Sequence, residues 1–310
     1  MNLRDLKYII AVAETRHFGR AAERCFVSQP TLSGQLRKLE EELGVTLFER
    51  NNRHVQITPV GEEILDHARQ IMEQAEAIQQ VSQRHQDPLA GPLRIGAIPT
   101  LSPYLMPLLL MPLKTRYPQI QLVLSEELTD TLLQRLQRHE IDAALLATPA
   151  GSPDLETWPL FKEPFWVAYP RNHPFYTREK ITQQDLDKEN LLLLSEGHCL
   201  ADQAMAVCRL QQRQAEGNLA DLRAASLETL IQLVGAGYGI TLIPALAMRS
   251  SWISGSGVVA QPLEAGNAYR QVALIYRHSF PRLAALQALA TVILDNLPNT
   301  VDRIRPSSTA

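Results

Sequence analysis

Cysteine is scarce in this sequence, with only Cys25, Cys199 and Cys208 among 310 residues. A small secreted scaffold stapled by disulfides is shorter and much richer in cysteine, so that class is excluded. The three thiols are therefore core residues, metal ligands or reactive groups, and their surroundings in the sequence bear on which role each one has.

Long apolar runs are also missing. A membrane-spanning helix takes about 20 apolar residues, whereas the run at 104–113 is shorter and contains prolines. The short run at 8–13 is followed at once by Glu14 and Arg16 and lacks a small-residue cleavage site, which excludes a signal peptide. We therefore expect a cytoplasmic protein that makes no membrane contact.

A strong excess of one charge is absent as well. The net charge is -3, but residues 1–60 hold nine Lys/Arg against seven Asp/Glu, and the remaining residues hold 21 against 26. Nucleic acid is therefore expected on the N-terminal side. With 45% hydrophobic and 20% charged residues, the composition is that of an ordinary globular protein, and the length corresponds to two or three domains.

Three helices are predicted at the N-terminus. Apolar residues at helical spacing indicate one helix over 3–15 and a second over 18–25, in which Cys25 falls on the buried stripe as a small hydrophobe. A third helix starts at Ser28, a good N-cap, and stops at Gly44. The second and third helices are joined by a tight turn.

Two helices joined in this way are typical of a helix-turn-helix, whose second helix enters the DNA major groove. Two short strands over 48–58 add a wing, so residues 1–58 are predicted to form a winged helix-turn-helix. The residues expected to contact DNA are Ser28, Gln29, Pro30, Thr31, Ser33, Gln35, Arg37, Arg50 and Arg53. A small helical dimerisation module with solvated charges is the alternative.

A long linker helix is predicted over 59–87, with Pro59 in its first turn and a break at the sequence DPLAGP. Its narrow apolar seam consists of Ile64, Ala68, Ile71, Ala75 and Ile78. The seam either pairs with a second copy of the chain or packs on its own domain. Its position after a DNA-binding unit favours pairing.

The run RHFGRAAERCFVSQPTLSGQLRKLEEELGVTLFERNNRHVQITPVG resembles the DNA-binding domain of LysR-type transcriptional regulators. The match is long and ordered, and it is therefore specific. The resemblance implies that residues 18–37 are the DNA-reading helix pair. It also implies that the functional unit is at least a dimer.

Residues 88–310 alternate strand-like and helix-like segments. Strands are predicted at 93–98, 121–126, 143–147, 165–169, 191–195, 239–243 and 271–276, and helices at 104–116, 129–140 and 227–234. Such alternation is typical of parallel sheets covered by helices, with ligands at the carboxyl ends of the strands. We expect an α/β effector domain of two lobes, and the resemblance implies a periplasmic-binding-protein type. The polar tail 303–310 is expected to be mobile.

No enzyme motif fits its context. The glycine-rich segment 235–239 follows a predicted helix and leads into a strand, the reverse of a dinucleotide fingerprint, so we interpret it as a helix cap. The set His198, Cys199, Asp202 and Cys208 matches no standard zinc spacing. We therefore expect neither an enzyme nor a bound metal or cofactor.

The segment LSEGHCLADQAMAVC, residues 194–208, carries two of the three cysteines. Gly197 turns the chain after a predicted strand and puts Cys199 near a helix start, where unpaired backbone amides favour a thiolate. His198 and Arg270, if close, lower the pKa of that thiol further. The alternative is a partly buried thiol beside an ordinary helix.

A regular helix over 199–208 holds the two thiols apart. Nine steps of about 1.5 Å separate the Cα atoms by about 13 Å and put them on opposite faces. A disulfide takes about 4.4 to 6.8 Å between Cα atoms, so a bond from Cys199 to Cys208 requires the segment to refold. Closing a loop of about ten residues is worth roughly 2.5 to 3 kcal/mol, similar to the packing of a short helix.

The sequences GHCLADQAM and SLETLIQLVGAGYGITLIPALA narrow the resemblance to the peroxide-sensing members of the LysR family, over nearly the whole chain. The resemblance implies that peroxide oxidises Cys199 to a sulfenic acid and that Cys208 resolves it to a disulfide. The motifs IPT, ELTD, GHCLAD and YRQVALIYR correspond to a peroxide pocket formed by Thr100, Thr129, His198, Asp202 and Arg270.

The same resemblance implies the partners. These are promoter DNA, further copies in a homotetramer built as a dimer of dimers, RNA polymerase for activation, and glutaredoxin or thioredoxin as reductants. Some of these regulators carry another histidine between the second cysteine and SLETL, which this chain lacks. Two alternatives stay open: a LysR-type regulator that binds a small metabolite, and a thiol peroxidase that binds DNA.

Overall fold

The computed structural model describes residues 1–51, 54–84, 89–208, 223–249 and 255–304. The chain divides into two compact units, Met1–Pro88 and Leu89–Ala310. None of the helices in the described ranges combines the length and the apolar character that a membrane span requires.

The first unit is a winged helix-turn-helix followed by a long helix, as predicted. Its elements are α1 (Leu3–Thr15), α2 (Phe18–Arg24), α3 (Gln29–Leu43), β1 (Phe48–Asn51), β2 (His54–Ile57) and α4 (Pro59–Arg84). The ends of α3 follow from its sequence. Ser28 Oγ accepts a hydrogen bond from Thr31 N at 3.3 Å, and Gly44 ends the helix with φ at +71°.

The core of the first unit joins α1, α3 and the first part of α4. Its buried side chains include Leu6, Ile9, Val12, Leu32, Leu36, Leu39, Leu47, Phe48, Leu65 and Ala68. Cys25, predicted to lie on the buried stripe of α2, packs against this core but remains half-buried.

The predicted pairing seam of α4 divides into two parts. Ala68 is only 1% exposed because α1 packs against this turn of α4, so the predicted role of Ala68 in pairing is wrong. Ile64 and Ala75 are half-buried. Ile71 and Ile78 are 40% and 73% exposed, so the second half of the seam is the part that presents apolar surface.

The second unit is built on one mixed sheet. Its described strands are β3 (Gly91–Ala97), β4 (Ile120–Glu126), β5 (Ala143–Leu146), β6 (Leu155–Pro170), β7 (Ile181–Thr182), β10 (Thr241–Pro244), β11 (Val258–Glu264), β12 (Tyr269–Arg277) and β13 (Asp302–Arg303). A separate pair consists of β8 (Leu193–Leu194) and β9 (Arg223–Ala224). Its described α-helices are α5 (Ser102–Arg116), α6 (Thr129–Gln137), α7 (Cys199–Val207), α8 (Leu227–Gly235) and α9 (Leu283–Asn296).

The prediction of parallel sheets holds only for part of this sheet. β3 pairs in parallel with β4 and β5, and β7 with β11, whereas β6 is antiparallel to β10, β11, β12 and β13. The alternation rule fails here because β6 and β12 are long strands that pair with each other along most of their length.

Two lobes share these long strands. In the first lobe, β5 pairs with residues 273–276 of β12, and β3 and β4 continue the sheet beyond β5. In the second lobe, β10 and β11 pair with residues 165–170 of β6. The strands β6 and β12 therefore run from one lobe to the other, and the predicted two-lobed α/β architecture is confirmed.

The C-terminal tail begins inside the sheet. Arg303 pairs with Phe161 of β6, and Ile304 N donates to Leu160 O at 2.8 Å. The prediction of a mobile tail is therefore wrong for its first two residues, because their backbone groups are hydrogen-bonded. The rest of the predicted tail, 305–310, lies outside the described residues.

Candidate functional site

The predicted DNA-contacting residues of α3 lie on one outward face. Gln29, Pro30, Thr31, Gln35 and Arg37 are exposed, as is the N-cap Ser28, while Ser33 is half-buried. The opposite face of α3 supplies three leucines to the core. A helix that enters a groove of DNA has an outward polar face of this kind.

The two wing arginines differ in what the structure describes. Arg50 belongs to β1, and its backbone pairs with Val55 of β2. Arg53 lies outside the described residues. The wing itself is present as predicted, and the contact of both arginines with DNA stays a prediction.

The two cysteines of the second unit mark the ends of one helix. α7 begins at Cys199, its N-cap is His198 and its C-cap is Cys208, and both thiols are free. Gly197 makes the turn before the helix with φ at +91°, and a Cβ atom there would lie 3.0 Å from Leu128 Cδ1. The predicted turn at Gly197 and the helix start at Cys199 are confirmed.

A buried ion pair adjoins the helix start. Arg270 Nε donates to Glu163 Oε2 at 2.9 Å, and both side chains are 0% exposed. Arg270 Nη1 donates to Thr100 Oγ1 and Nη2 donates to Thr100 O, each at 2.9 Å. The guanidinium is therefore held in a single orientation, with one edge on a carboxylate and the other on Thr100.

Burial raises the pKa of the Cys199 thiol above its ordinary value. The Arg270 charge, the nearby Thr129 hydroxyl and the backbone at the helix start lower that pKa, and the Asp202 charge raises it. The predicted influences of the helix start and the nearby cation are therefore present, but the net shift of the pKa is upward, because desolvation of a thiolate outweighs both effects. Burial also raises the pKa of Cys208 to about 12.

The structure brings most of the predicted pocket residues together. Thr100 is bonded to Arg270, Thr129 and Arg270 both act on the Cys199 thiol, and His198 is buried beside it in the chain. Asp202 differs, because its side chain is exposed on α7 and influences the thiol only through its charge. The predicted place of Asp202 in the pocket therefore stays a prediction.

Two residues of the site were not predicted from the sequence. Glu163 faces Arg270 across β6 and β12, a register that no local motif reveals. Gln203 follows Cys199 by four residues, so helical spacing puts both on one face of α7, and that signal was available. Gln203 Nε2 donates to Ala147 O at 2.8 Å.

Several buried polar atoms of β4, α6, α7 and the segment after β5 have no hydrogen-bond partner among the described residues. They are Ser125 Oγ in β4, Thr129 Oγ1 in α6, Thr148 Oγ1 beyond β5, and Gln203 Oε1 in α7. Buried polar atoms without partners are uncommon, and they indicate a place where a small polar molecule forms hydrogen bonds. In the same described ranges, no three His, Cys, Asp or Glu side chains come together as metal ligands.

Family models match both units. The model described as "Bacterial regulatory helix-turn-helix protein, lysR family" covers residues 3–62, and the "LysR substrate binding domain" covers residues 86–298. The hydrogen peroxide-inducible genes activator of Dickeya chrysanthemi is 40% identical over 99% of this chain and 100% of its own length. The transcriptional dual regulator OxyR of Escherichia coli K12 is 40% identical over 98% of both chains.

Solved structures agree with these relatives. Full-length OxyR of Pseudomonas aeruginosa, solved as a variant, is 39% identical, covers 99% of both chains and superposes with a TM-score of 0.84. An H2O2-bound OxyR mutant of Corynebacterium glutamicum is 35% identical over 95% of this chain and 92% of its own, with a TM-score of 0.65. The chain therefore belongs to the LysR family of DNA-binding transcriptional regulators, within its OxyR branch.

Proposed function

We propose that this chain is a peroxide-responsive transcriptional activator whose action on promoter DNA is set by the redox state of Cys199 and Cys208. The observation that carries the proposal is the position of the two thiols at opposite ends of α7. The first lies in a polar site with a buried arginine, and the second lies in the apolar core. The relatives named as hydrogen peroxide-inducible genes activators support the same function.

The first step consumes peroxide at Cys199. Hydrogen peroxide is small and offers two hydroxyl groups, which suit the hydroxyls of Thr100 and Thr129 and the ring of His198. Cys199 loses its proton and its sulfur attacks one peroxide oxygen. The O–O bond breaks, and the leaving oxygen takes up a proton and departs as water. The sulfur, oxidised by two electrons, becomes a sulfenic acid, and Arg270 stabilises the thiolate as it forms.

The second step uses Cys208. Its thiolate attacks the Cys199 sulfur, the S–S bond forms, and the sulfenic oxygen leaves as water after protonation. In the helix the two Cα atoms are about 13 Å apart, well beyond the disulfide range. Cys208 is 2% exposed, and Gln183 Nε2 holds the neighbouring Val207 O. α7 therefore has to unwind and Cys208 has to leave the core, so the bond creates a different fold of this segment.

In this proposal the refolding of α7 changes how the protein binds promoter DNA. The exposed face of α3 binds the promoter, residues 59–87 pair two copies through Ile71 and Ile78, and residues 88–310 sense peroxide. The family resemblance supports the remaining parts: a dimer of dimers, activation through RNA polymerase, reduction by glutaredoxin or thioredoxin, and a cytoplasmic location.

A footprint on a candidate promoter tests this proposal. The full-length protein is compared in the reduced state and after one equivalent of peroxide. We expect the footprint to change for wild type and for the matched control Cys25→Ser, and to keep the reduced pattern for Cys199→Ser. An unchanged wild-type footprint contradicts the proposal.

The same material separates the two alternatives. A regulator of the metabolite-binding kind responds equally well with Cys199→Ser. A thiol peroxidase sustains many turnovers of peroxide when a reductant is supplied, whereas the proposed sensor is oxidised once and then waits for slow reduction.

A further inference from the structure

Glu163 has both carboxylate oxygens engaged inside the protein. Oε2 accepts from Arg270 Nε at 2.9 Å, and Oε1 accepts from the backbone N–H of Leu246 at 2.8 Å. The two side chains of the ion pair stand opposite each other in the register of β6 and β12, and neither is exposed. A carboxylate bound on both oxygens in this way is held in one position against its guanidinium partner.

The ion pair joins the two lobes at the strands that they share. Arg270 holds Thr100, which follows β3 of the first lobe. Glu163 holds Leu246, which lies in the 3-10 helix Ala245–Arg249 directly after β10 of the second lobe. The position of the guanidinium is therefore fixed from both sides.

The charge of Arg270 as felt by Cys199 depends on this partner. Next to burial, Arg270 is the largest influence on the Cys199 thiol, and it favours the thiolate. An isolated cation acts over a longer distance than a cation with a carboxylate 2.9 Å away, because the opposite charges largely cancel at a third group.

Other ionisable groups face the same region. Asp202 of α7 opposes a thiolate on Cys199. Tyr104 of α5 donates to Glu228 of α8 at 2.8 Å and also feels the Arg270 charge and that of Glu126. Of these groups, Glu163 is the one in an ion pair with the guanidinium itself.

We propose that Glu163 is a positioning residue that limits the effect of Arg270 on Cys199 in the reduced protein, by neutralising the Arg270 guanidinium and holding it against Thr100. The inference rests on the proposed function only in taking Cys199 as the thiol that peroxide attacks. Alkylating reagents react with the thiolate, so Cys199 reacts more slowly when Glu163 weakens the influence of Arg270. Removing the Glu163 charge is therefore expected to accelerate the reaction.

The test measures alkylation of Cys199 alone. In the full chain with Cys25→Ser and Cys208→Ser, the rate of reaction with monobromobimane is followed against pH. We expect Glu163→Gln to react about tenfold faster than its parent near neutral pH. Removing a neighbouring negative charge lowers the pKa of a thiol by about one unit, so about ten times more thiolate is present. Glu163→Asp restores the charge and is expected to return the profile towards that of the parent.

A matched control removes a buried carboxylate elsewhere in the same unit. Asp142 accepts from Arg94 N at 2.7 Å and is 8% exposed. Asp142→Asn is expected to leave the alkylation profile unchanged, which separates a general loss of stability from an effect on Cys199. A Glu163→Gln profile that coincides with that of the parent overturns the proposal, as does a slower reaction.

A second comparison covers the case in which Glu163→Gln fails to fold, because an unpaired buried guanidinium is strongly destabilising. Arg270→Gln is compared with Arg270→Gln plus Glu163→Gln, and thermal unfolding shows that both are folded. The proposal predicts equal alkylation rates in this pair, since Glu163 acts on Cys199 through the Arg270 guanidinium, which both variants lack. A faster reaction of the double variant overturns it, because Glu163 then acts on Cys199 directly.

The alkylation assay uses no peroxide, so its outcome is independent of the proposed function. A profile that shifts while peroxide leaves Cys199 unoxidised contradicts the proposed function and supports the role of Glu163. A profile that does not shift while peroxide oxidises Cys199 contradicts the role of Glu163 and supports the proposed function.

Discussion

Leu200→Ala is expected to make the Cys199–Cys208 disulfide harder to reduce. Leu200 is the second residue of α7, and its side chain is 2% exposed in the core of the second unit. In the proposed mechanism α7 unwinds when the disulfide forms, so this side chain leaves the core. The substitution then destabilises the reduced protein and leaves the oxidised protein nearly unaffected.

The size of the effect follows from the burial of the side chain. A fully buried Leu→Ala change costs about 3 kcal/mol. For a two-electron couple, about 1.4 kcal/mol corresponds to about 30 mV, so the reduction potential is expected to fall by about 60 mV. The sign is negative because the reduced form, the product of reduction, is the one that loses stability.

The reduction potential of the disulfide is measured by equilibration in glutathione buffers. Thiol labelling and mass spectrometry give the fraction of disulfide at each buffer ratio. Leu242→Ala is the matched control, since Leu242 lies in β10 at 1% exposure, outside the refolding segment. Leu242→Ala lowers the stability of both redox states equally, so the reduction potential is expected to stay unchanged. If Leu200→Ala destabilises the reduced protein fully but moves the potential by less than about 10 mV, then α7 stays packed and the reasoning is refuted.

Four further predictions follow from single positions. The alkylation rate of Cys199 rises with pH through a midpoint above that of an ordinary thiol, because burial raises the pKa of Cys199. Thr129→Val moves this midpoint higher, because it removes a hydroxyl that lowers that pKa. Phe26→Asn raises the free energy of unfolding by about 0.5 to 1 kcal/mol in thermal unfolding. The φ of Phe26 is +55°, a left-handed conformation that asparagine adopts more readily, and its side chain is 95% exposed, so little packing is lost. Gly197→Ala lowers the free energy of unfolding, since φ there is +91°. Ile78→Asp shifts the oligomer towards monomer in analytical ultracentrifugation, because Ile78 is 73% exposed.

Local patterns predicted the first unit well. The cap at Ser28 and the stop at Gly44 are properties of neighbouring residues, so the bounds of α3 could be read from the sequence. The burial of Ala68 was different, because it depends on α1 packing across α4, and the seam alone did not distinguish this contact from a pairing surface.

The second unit shows what periodicity does not reveal. β6 extends over Leu155–Pro170, whereas the pattern indicated only residues 165–169, since its first half pairs with a distant strand. The ion pair of Arg270 with Glu163 depends on that same register. The direction of the Cys199 pKa was also missed, because helix ends and cations are visible in a sequence and the degree of burial is not.

The central claim is that peroxide joins the two ends of α7. Full-length reduced protein is treated with one equivalent of hydrogen peroxide, and its peptides are mapped by mass spectrometry without reduction. The account predicts a peptide that links Cys199 to Cys208, with Cys25 remaining a free thiol. Recovery of Cys199 and Cys208 as unlinked peptides after peroxide has been consumed contradicts it.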